Sequence, residues 1–318
     1  MSARWPVLLS EIIVNIRRSR GIPVGLTPQP NSSTTLSFSW RFCMSVSRLS
    51  SLFRTPPRTL LIAVFAITGC LALGSARSDP TAELDDAAAR LQYAFYTADT
   101  RHLEEVLALV GRLEVPSTLA AMREYYAAYG HWKLAQLYSE DSARGGGSAS
   151  ASRSAASKAA QSCAKRAEAA FKLETRMDEA YAIHAVCSAF GTGVRPSDKS
   201  SFAGCGRSKS LRMAQQLSPD NPRVMLIEAI CLGGGDSAAS TALFDKLREV
   251  MKAFESAAPS RPGKPDWGQA EALVLLGQSY LQRGDSLAAR DAIERALVLA
   301  PDYRKAQELL QAAATRPR

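Results

Sequence analysis

Four cysteines, Cys163, Cys187, Cys205 and Cys231, and three histidines, His102, His131 and His184, have the most chemistry to offer in the body of this chain. Four thiols in an oxidising compartment close into two disulfides with three conceivable pairings; in a reducing cell they are buried free thiols. None of the histidines has a His, Cys or carboxylate neighbour at metal-ligand spacing, so no metal and no cofactor is expected. Ala203-Gly-Cys-Gly-Arg-Ser-Lys-Ser210 has the outline of a phosphate loop. Ala203 and Ser208 stand where that loop needs glycine, and a helix precedes it where a strand is required. No Gly-x-Ser-x-Gly nucleophile motif occurs, and no catalytic residue is assigned. Distant groups can still converge in a fold, so an enzymatic role is made weaker, not removed.

The elements that position these side chains are helices. Of 318 residues 46% are hydrophobic, with Ala prominent and aromatics only 7%, and Ala loses no side-chain entropy in a helix. The net charge of +9 suggests nucleic acid until it is divided. Eight of the 39 bases and one of the 30 acids lie in residues 1–76, leaving 31 against 29 in the remainder. A body so nearly neutral has no concentrated basic face for phosphate, and no nucleic-acid partner is expected.

The N-terminus reads as an address. A basic, Ser/Pro-rich stretch, Arg48 to Arg58, precedes the apolar run Leu60 to Leu73 and the small residues Gly74-Ser-Ala76. The apolar run is shorter than the roughly 20 residues that cross a bilayer, so it predicts a secretory signal peptide. An organellar transit peptide shares the Arg-rich, acid-poor composition, but its amphipathic pattern is missing. Met44 opens a signal of ordinary length, which makes residues 1–43 a mis-annotated extension and 44–76 the signal, a disordered leader in all. Ile67-Thr-Gly-Cys70 has the form of a lipobox, with Cys70 as the lipidated residue; otherwise Cys70 is one more residue of the apolar run. The expected location is the periplasm, or the outer membrane facing it, with membrane association only through that lipid.

Residues 77–318 carry an internal repeat. Leu273, Leu276, Gly277, Tyr280, Gly284, Ala289, Ile293, Ala296 and Pro301 occupy positions 4, 7, 8, 11, 15, 20, 24, 27 and 32 of a unit starting at Ala270. This unit, 270–303, resembles the tetratricopeptide repeat. Small residues at Gly277, Ala289 and Ala296 let two antiparallel helices approach, while Leu276, Tyr280 and Ile293 fill their seam. Leu211, Ala214 and Pro219 repeat the ending, and Tyr181 and Ala185 repeat positions 4 and 8. Leu84, Leu91, Phe95, Leu103, Val106, Leu107, Val110, Leu119, Tyr126, Leu134 and Leu137 keep helical spacing upstream. The expected fold is all-α: four to five antiparallel helix pairs in a short right-handed solenoid, with residues 302–315 as a capping helix. Ser142 to Ser154 is expected as a flexible insert within one hairpin, and Gly191 to Ser208 as an insertion loop between two helices. His184 takes a core Leu position and is expected half-buried and satisfied.

In such a stack Cys163 and Cys187 fall on neighbouring helices, which predicts the pairs Cys163–Cys187 and Cys205–Cys231. The resemblance further implies a concave groove lined by first-helix residues: Glu271, Val274, Gln278, Leu281 and Gln282; Glu179, Ala182, Val186, Ala189 and Phe190; and Arg223, Leu226 and Ile230. Members that clamp a chaperone's C-terminal carboxylate have Lys and Asn where Val274 and Gln278 stand, so that role is not expected. A mainly apolar strip suits a helix or extended segment of a protein partner; alternatively its residues pack on neighbouring repeats. Charge is uneven: residues 142–212 hold 12 bases and 5 acids, residues 77–141 hold 6 and 11. The function expected is a non-catalytic envelope scaffold binding a protein or peptide. The alternatives are an envelope enzyme or its accessory subunit, with a site near 191–208 or His102 and His131, and simple self-association.

Overall fold

The computed structural model describes residues 79–314 apart from 146–147, 191–204, 234–236 and 259–261. Among the described residues it holds eleven helices and no strand, all in the unit Ser78–Arg318. They are α1 (Pro80–Tyr96), α2 (Thr100–Arg112), α3 (Ser117–Arg144), α4 (Ala149–Leu173), α5 (Asp178–Phe190) and α6 (Lys209–Leu217). After these come α7 (Pro222–Leu232), α8 (Ser237–Ser256), α9 (Gln269–Gln282), α10 (Ser286–Leu299) and α11 (Arg304–Ala314). Consecutive helices pack as five hairpins with α11 closing the end. The first helices also pack on one another, α1 on α3, α3 on α5, α5 on α7 and α9 on α11, which makes them the inner layer and the even-numbered helices the outer one.

Helix starts follow from side chains that satisfy the free N–H groups of a first turn. Asp79 accepts from the Thr81 amide ahead of Pro80, Asp99 from His102, Ser208 from Leu211, Asn221 from Arg223 ahead of Pro222, and Asp285 from Ala288. In the last hairpin Gly284 takes φ 81° between α9 and α10, a turn conformation that costs glycine little. A Cβ on Gly277 would lie 2.6 Å from the Ile293 side chain, so α9 and α10 touch where the small residues of the repeat stand. Of the residues at helical spacing upstream, all are buried save Leu119, which is half-buried.

The segment 142–154 is different from its expectation. Ser142 to Arg144 end α3 and Ala149 to Ser154 begin α4, so both helices run through most of the Ser-rich stretch. These two form the most extensive helix pair of the molecule. Packing of Ala156, Ala159, Ala160, Cys163, Ala167 and Ala170 along one face of α4 outweighs the weak helix preference of its serines. The N-terminal leader, including Met44 and Cys70, and residues 191–204 of the insertion loop lie outside the described residues.

Both predicted disulfides are present. Cys163 on α4 joins Cys187 on α5, and Cys205, in the turn before α6, joins Cys231 on α7, with Cα separations of 6.0 and 5.3 Å. Each links one hairpin to the next.

Candidate functional site

The residues predicted to line a groove belong to the inner layer, where the chain has built a buried network over them. Its foundation is a stripe on α3, Tyr125, Tyr129, Trp132 and Lys133, at i, i+4, i+7 and i+8 and therefore on one face. Opposite stand the second residues of two repeat units, Glu179 and Glu271, and between them lies Trp267, from the loop that precedes α9.

One half of the network centres on Glu179. Tyr125 Oη donates to Glu179 Oε2 at 2.5 Å, and Trp267 Nε1 donates to Tyr125 Oη at 2.6 Å. Asn221 Nδ2 donates to Glu179 Oε1 at 3.0 Å and to Asp178 Oδ2 at 2.9 Å, while Arg223 lies 3.5 Å from Glu179. Burial pushes the Glu179 carboxyl above its ordinary range, with Arg223, Asn221 and Tyr125 pulling the other way. The other half centres on Lys133, whose side chain is 2% exposed. Its ammonium lies 3.2 Å from Glu271 Oε1 and over the rings of Trp132 (3.7 Å), Phe95 (4.5 Å), Tyr129 (5.2 Å) and Trp267 (5.4 Å). Rings present their negative faces to a cation, so this cage and one carboxylate replace much of the lost hydration. Desolvation holds the Lys133 ammonium below its ordinary pKa, partly opposed by Glu271.

The loop before α9 completes the cover. The Gly263 amide donates to both carboxylate oxygens of Asp85 on α1, at 3.1 and 2.8 Å. Arg223 Nη2 donates to the Pro265 carbonyl, and Leu226 would meet a Cβ on Gly268 at 3.3 Å. Phe95 and Tyr96 of α1 pack on Tyr303 next to α11, with centroids 5.9 and 4.6 Å apart, and Lys305 reaches Glu140 of α3 at 3.8 Å. The first two hairpins thus meet the closing helix α11. A shallow recess marks this seam, lined by Phe95, Tyr96, Leu137 and Tyr303 together with Glu140, Arg144, Lys305 and Glu308.

An open groove is therefore corrected to an occupied one. Glu271, Val274, Leu281, Glu179, Ala182, Val186 and Leu226 are buried, Gln278, Phe190, Ala189, Arg223 and Ile230 half-buried, and only Gln282 is exposed. Val274 and Leu281, at 3% and 5% exposure, are core residues; charged substitutions there would test folding and not partner binding. Spacing placed Glu179 and Glu271 on the inner layer correctly, but gave no hint of Tyr125, Tyr129, Trp132, Lys133 or Trp267. The available signal was the aromatic stripe on α3, together with a carboxylate recurring at the second position of an otherwise apolar strip.

The histidines stay apart in role. His184 Nδ1 lies 2.9 Å from Ser210 Oγ and the ring meets Phe171 edge-on, which makes it the satisfied half-buried residue expected. His102 lies 3.8 Å from Glu105. His131 Nδ1 is buried with no hydrogen-bond partner, and desolvation, then the nearby Arg166, lowers its pKa to about 4. Among the described residues no three His, Cys, Asp or Glu side chains are grouped as metal ligands. Among the same residues no helix is long and apolar enough to cross a membrane.

No family model and no curated protein matches this chain. Among solved structures it is similar to an assembly chaperone of RpL4 (Acl4), residues 1–338, at 12% identity and a TM-score of 0.32, covering 74% of this chain and 95% of that one. A superposition that loose transfers nothing from one protein to the other. What this chain's own packing defines is a helical-repeat protein whose inner face is filled from within.

Proposed function

We propose that this protein is an exported, non-catalytic helical-repeat scaffold of a bacterial cell envelope, which holds a protein partner on the outer faces of its hairpins. The carrying observation is the filled inner face: Trp267, Tyr125, Tyr129 and Lys133 occupy the space a peptide would need. A stack closed end to end and cross-linked twice is stiff, so a partner docking on it orders little that was loose. Support for export comes from the apolar run Leu60 to Leu73 with its small-residue end, and from four cysteines paired in two disulfides.

The test is mild crosslinking of tagged protein in its native envelope, followed by capture and mapping of the joined peptides. The expected result is a reproducible partner joined through α2, α4, α6, α8 or α10. Recovery from the cytosol with free thiols would sink the export reading. Capture of nothing but a second copy would replace the adaptor with self-assembly.

A further inference from the structure

Three water-facing helices of this molecule, α2, α8 and α10, mix their charges. On α2 Arg101 pairs with Glu105 at 3.1 Å, on α10 Arg290 with Glu294 at 2.7 Å, and on α8 Lys246 with Glu249 at 3.2 Å. Such pairs are what a solvated face needs. Helix α4 departs from the pattern: its 25 residues hold Arg153, Lys158, Lys165, Arg166 and Lys172 against one acid, Glu168.

Lys158, Lys165 and Lys172 recur every seven residues, which sets them about 10 Å apart along the axis and within about 40° of one another around it. All three are exposed, on the side opposite the buried alanines. Lys172 pairs with Glu168 at 2.7 Å, while among the described residues Lys158 and Lys165 have no ion-pair partner. Arg166 turns inward to Glu124 of α3 at 2.8 Å and is not part of this ridge. Along the same face Ser154 and Gln161 are exposed and neutral, and Glu168, with its side chain 46% exposed, is the one acid, already engaged by Lys172. Spacing near the Debye length at 0.1 M salt keeps mutual repulsion low, so the ridge does not unfold the helix that carries it.

We propose that this ridge is a docking surface for a helical segment of a protein partner with Asp or Glu at seven-residue intervals, lying along α4. The proposal rests on the scaffold reading and names the chemistry of its partner. A second helix carries the same 10 Å repeat in fixed positions, so in one alignment Lys158 and Lys165 gain charge pairs and Lys172 gains a third in exchange for its contact with Glu168. Lipid headgroups diffuse to meet any basic surface and draw nothing from that spacing.

The probe is a labelled, alanine-rich synthetic helix with three Glu at seven-residue intervals, compared with an isomer of equal composition whose Glu are five apart and so spread around the helix. Anisotropy with the purified, oxidised protein should show the seven-spaced peptide binding about threefold to a hundredfold more tightly, a preference that fades with added salt. The triple variant Lys158→Gln, Lys165→Gln, Lys172→Gln should lose the preference and keep its helical circular dichroism. An Arg290→Gln variant should retain it. Equal binding of both peptides, or no change in the triple variant, overturns the proposal. So does a ridge that binds phosphatidylglycerol vesicles through these lysines without discriminating the peptides, which assigns it to lipid. A partner still captured from the envelope in those cases leaves the scaffold reading standing, whereas peptide binding with no partner captured removes that reading alone.

Discussion

The hairpins α3–α4 and α9–α10 share a repeat plan and differ in everything added to it. The last hairpin has helices of 14 residues each and carries the repeat's small and large residues at their expected places. The second has helices of 28 and 25 residues and supplies both the aromatic stripe that fills the inner layer and the lysine ridge on the outer one. Repeat positions therefore specify how two helices pack, while departures from the repeat are where this molecule becomes particular. A stability test that treats the two hairpins alike would miss that difference.

The largest effect should come from the caged lysine. Lys133→Ala leaves Glu271 buried without its counter-charge, next to an Oε2 that already has no hydrogen-bond partner, and should cost about 3–5 kcal/mol in urea unfolding. The paired change Lys133→Met, Glu271→Leu should recover most of that loss, since an apolar pair needs no desolvation of ions. A double variant as unstable as the single one would mean the pair itself, and not its uncompensated half, holds the ends of the stack together.

Next is the link between the long hairpin and its successor. Cys163→Ala with Cys187→Ala opens a loop closed across 24 residues, and chain entropy puts the loss at about 3 kcal/mol. Reductant should lower the wild-type unfolding midpoint and leave that bond's contribution absent in the variant. A wild-type midpoint indifferent to reductant would show free thiols and take away a support of the export reading.

The third effect is one of pH, and it too belongs to α3. His131 is neutral in the fold, with its pKa lowered to about 4 by desolvation and then Arg166, whereas the unfolded chain binds the proton near 6.5. A depressed pKa means the unfolded state takes up protons first, so this contribution is intact above pH 6.5 and is lost progressively as pH falls toward 4. Comparing melting temperatures of wild type and His131→Gln across that window isolates it from Glu179, whose raised pKa acts in the opposite sense. With the pKa lowered from 6.5 to about 4, the wild type should lose about 3 kcal/mol more than the variant by the low end of the window. Parallel curves would place His131 in contact with water.

These three sites also show how far sequence patterns reach. Leu273 through Pro301 located α9, the Gly284–Asp285 turn and α10, because hairpin packing is local and repeats its spacing. Cys163 and Cys187 could be paired once adjacent helices were recognised. The inner network was not legible, because Tyr125 and Trp267 stand 142 residues apart and only closure of the whole stack brings them together. Composition misled at 142–154, where serines and glycines suggest a loop and burial against α3 makes helix. The ridge lay in plain view as three lysines at intervals of seven, but its meaning depends on which face of α4 is buried.

The smallest effect tests the hairpin that obeys the repeat. Gly277→Ala places a methyl group 2.6 Å from Ile293 Cγ1 and 3.2 Å from the Ala289 carbonyl, so one side chain and one backbone must yield. Overpacking of this kind costs about 1–3 kcal/mol, and the better helix preference of Ala returns about 1. The net loss should be about 1 kcal/mol, confined to α9–α10. Adding Ile293→Val removes the Cδ1 that also lies near the new methyl, at 3.3 Å, but keeps a Cγ1, so it should restore only part of the loss. Ile293→Ala should relieve the contact fully and yet leave the protein less stable, because the seam then has a cavity. If Gly277→Ala were stabilising, α9 and α10 would stand farther apart than the repeat requires, and the contrast between the ordinary hairpin and the elaborated one would lose its reference.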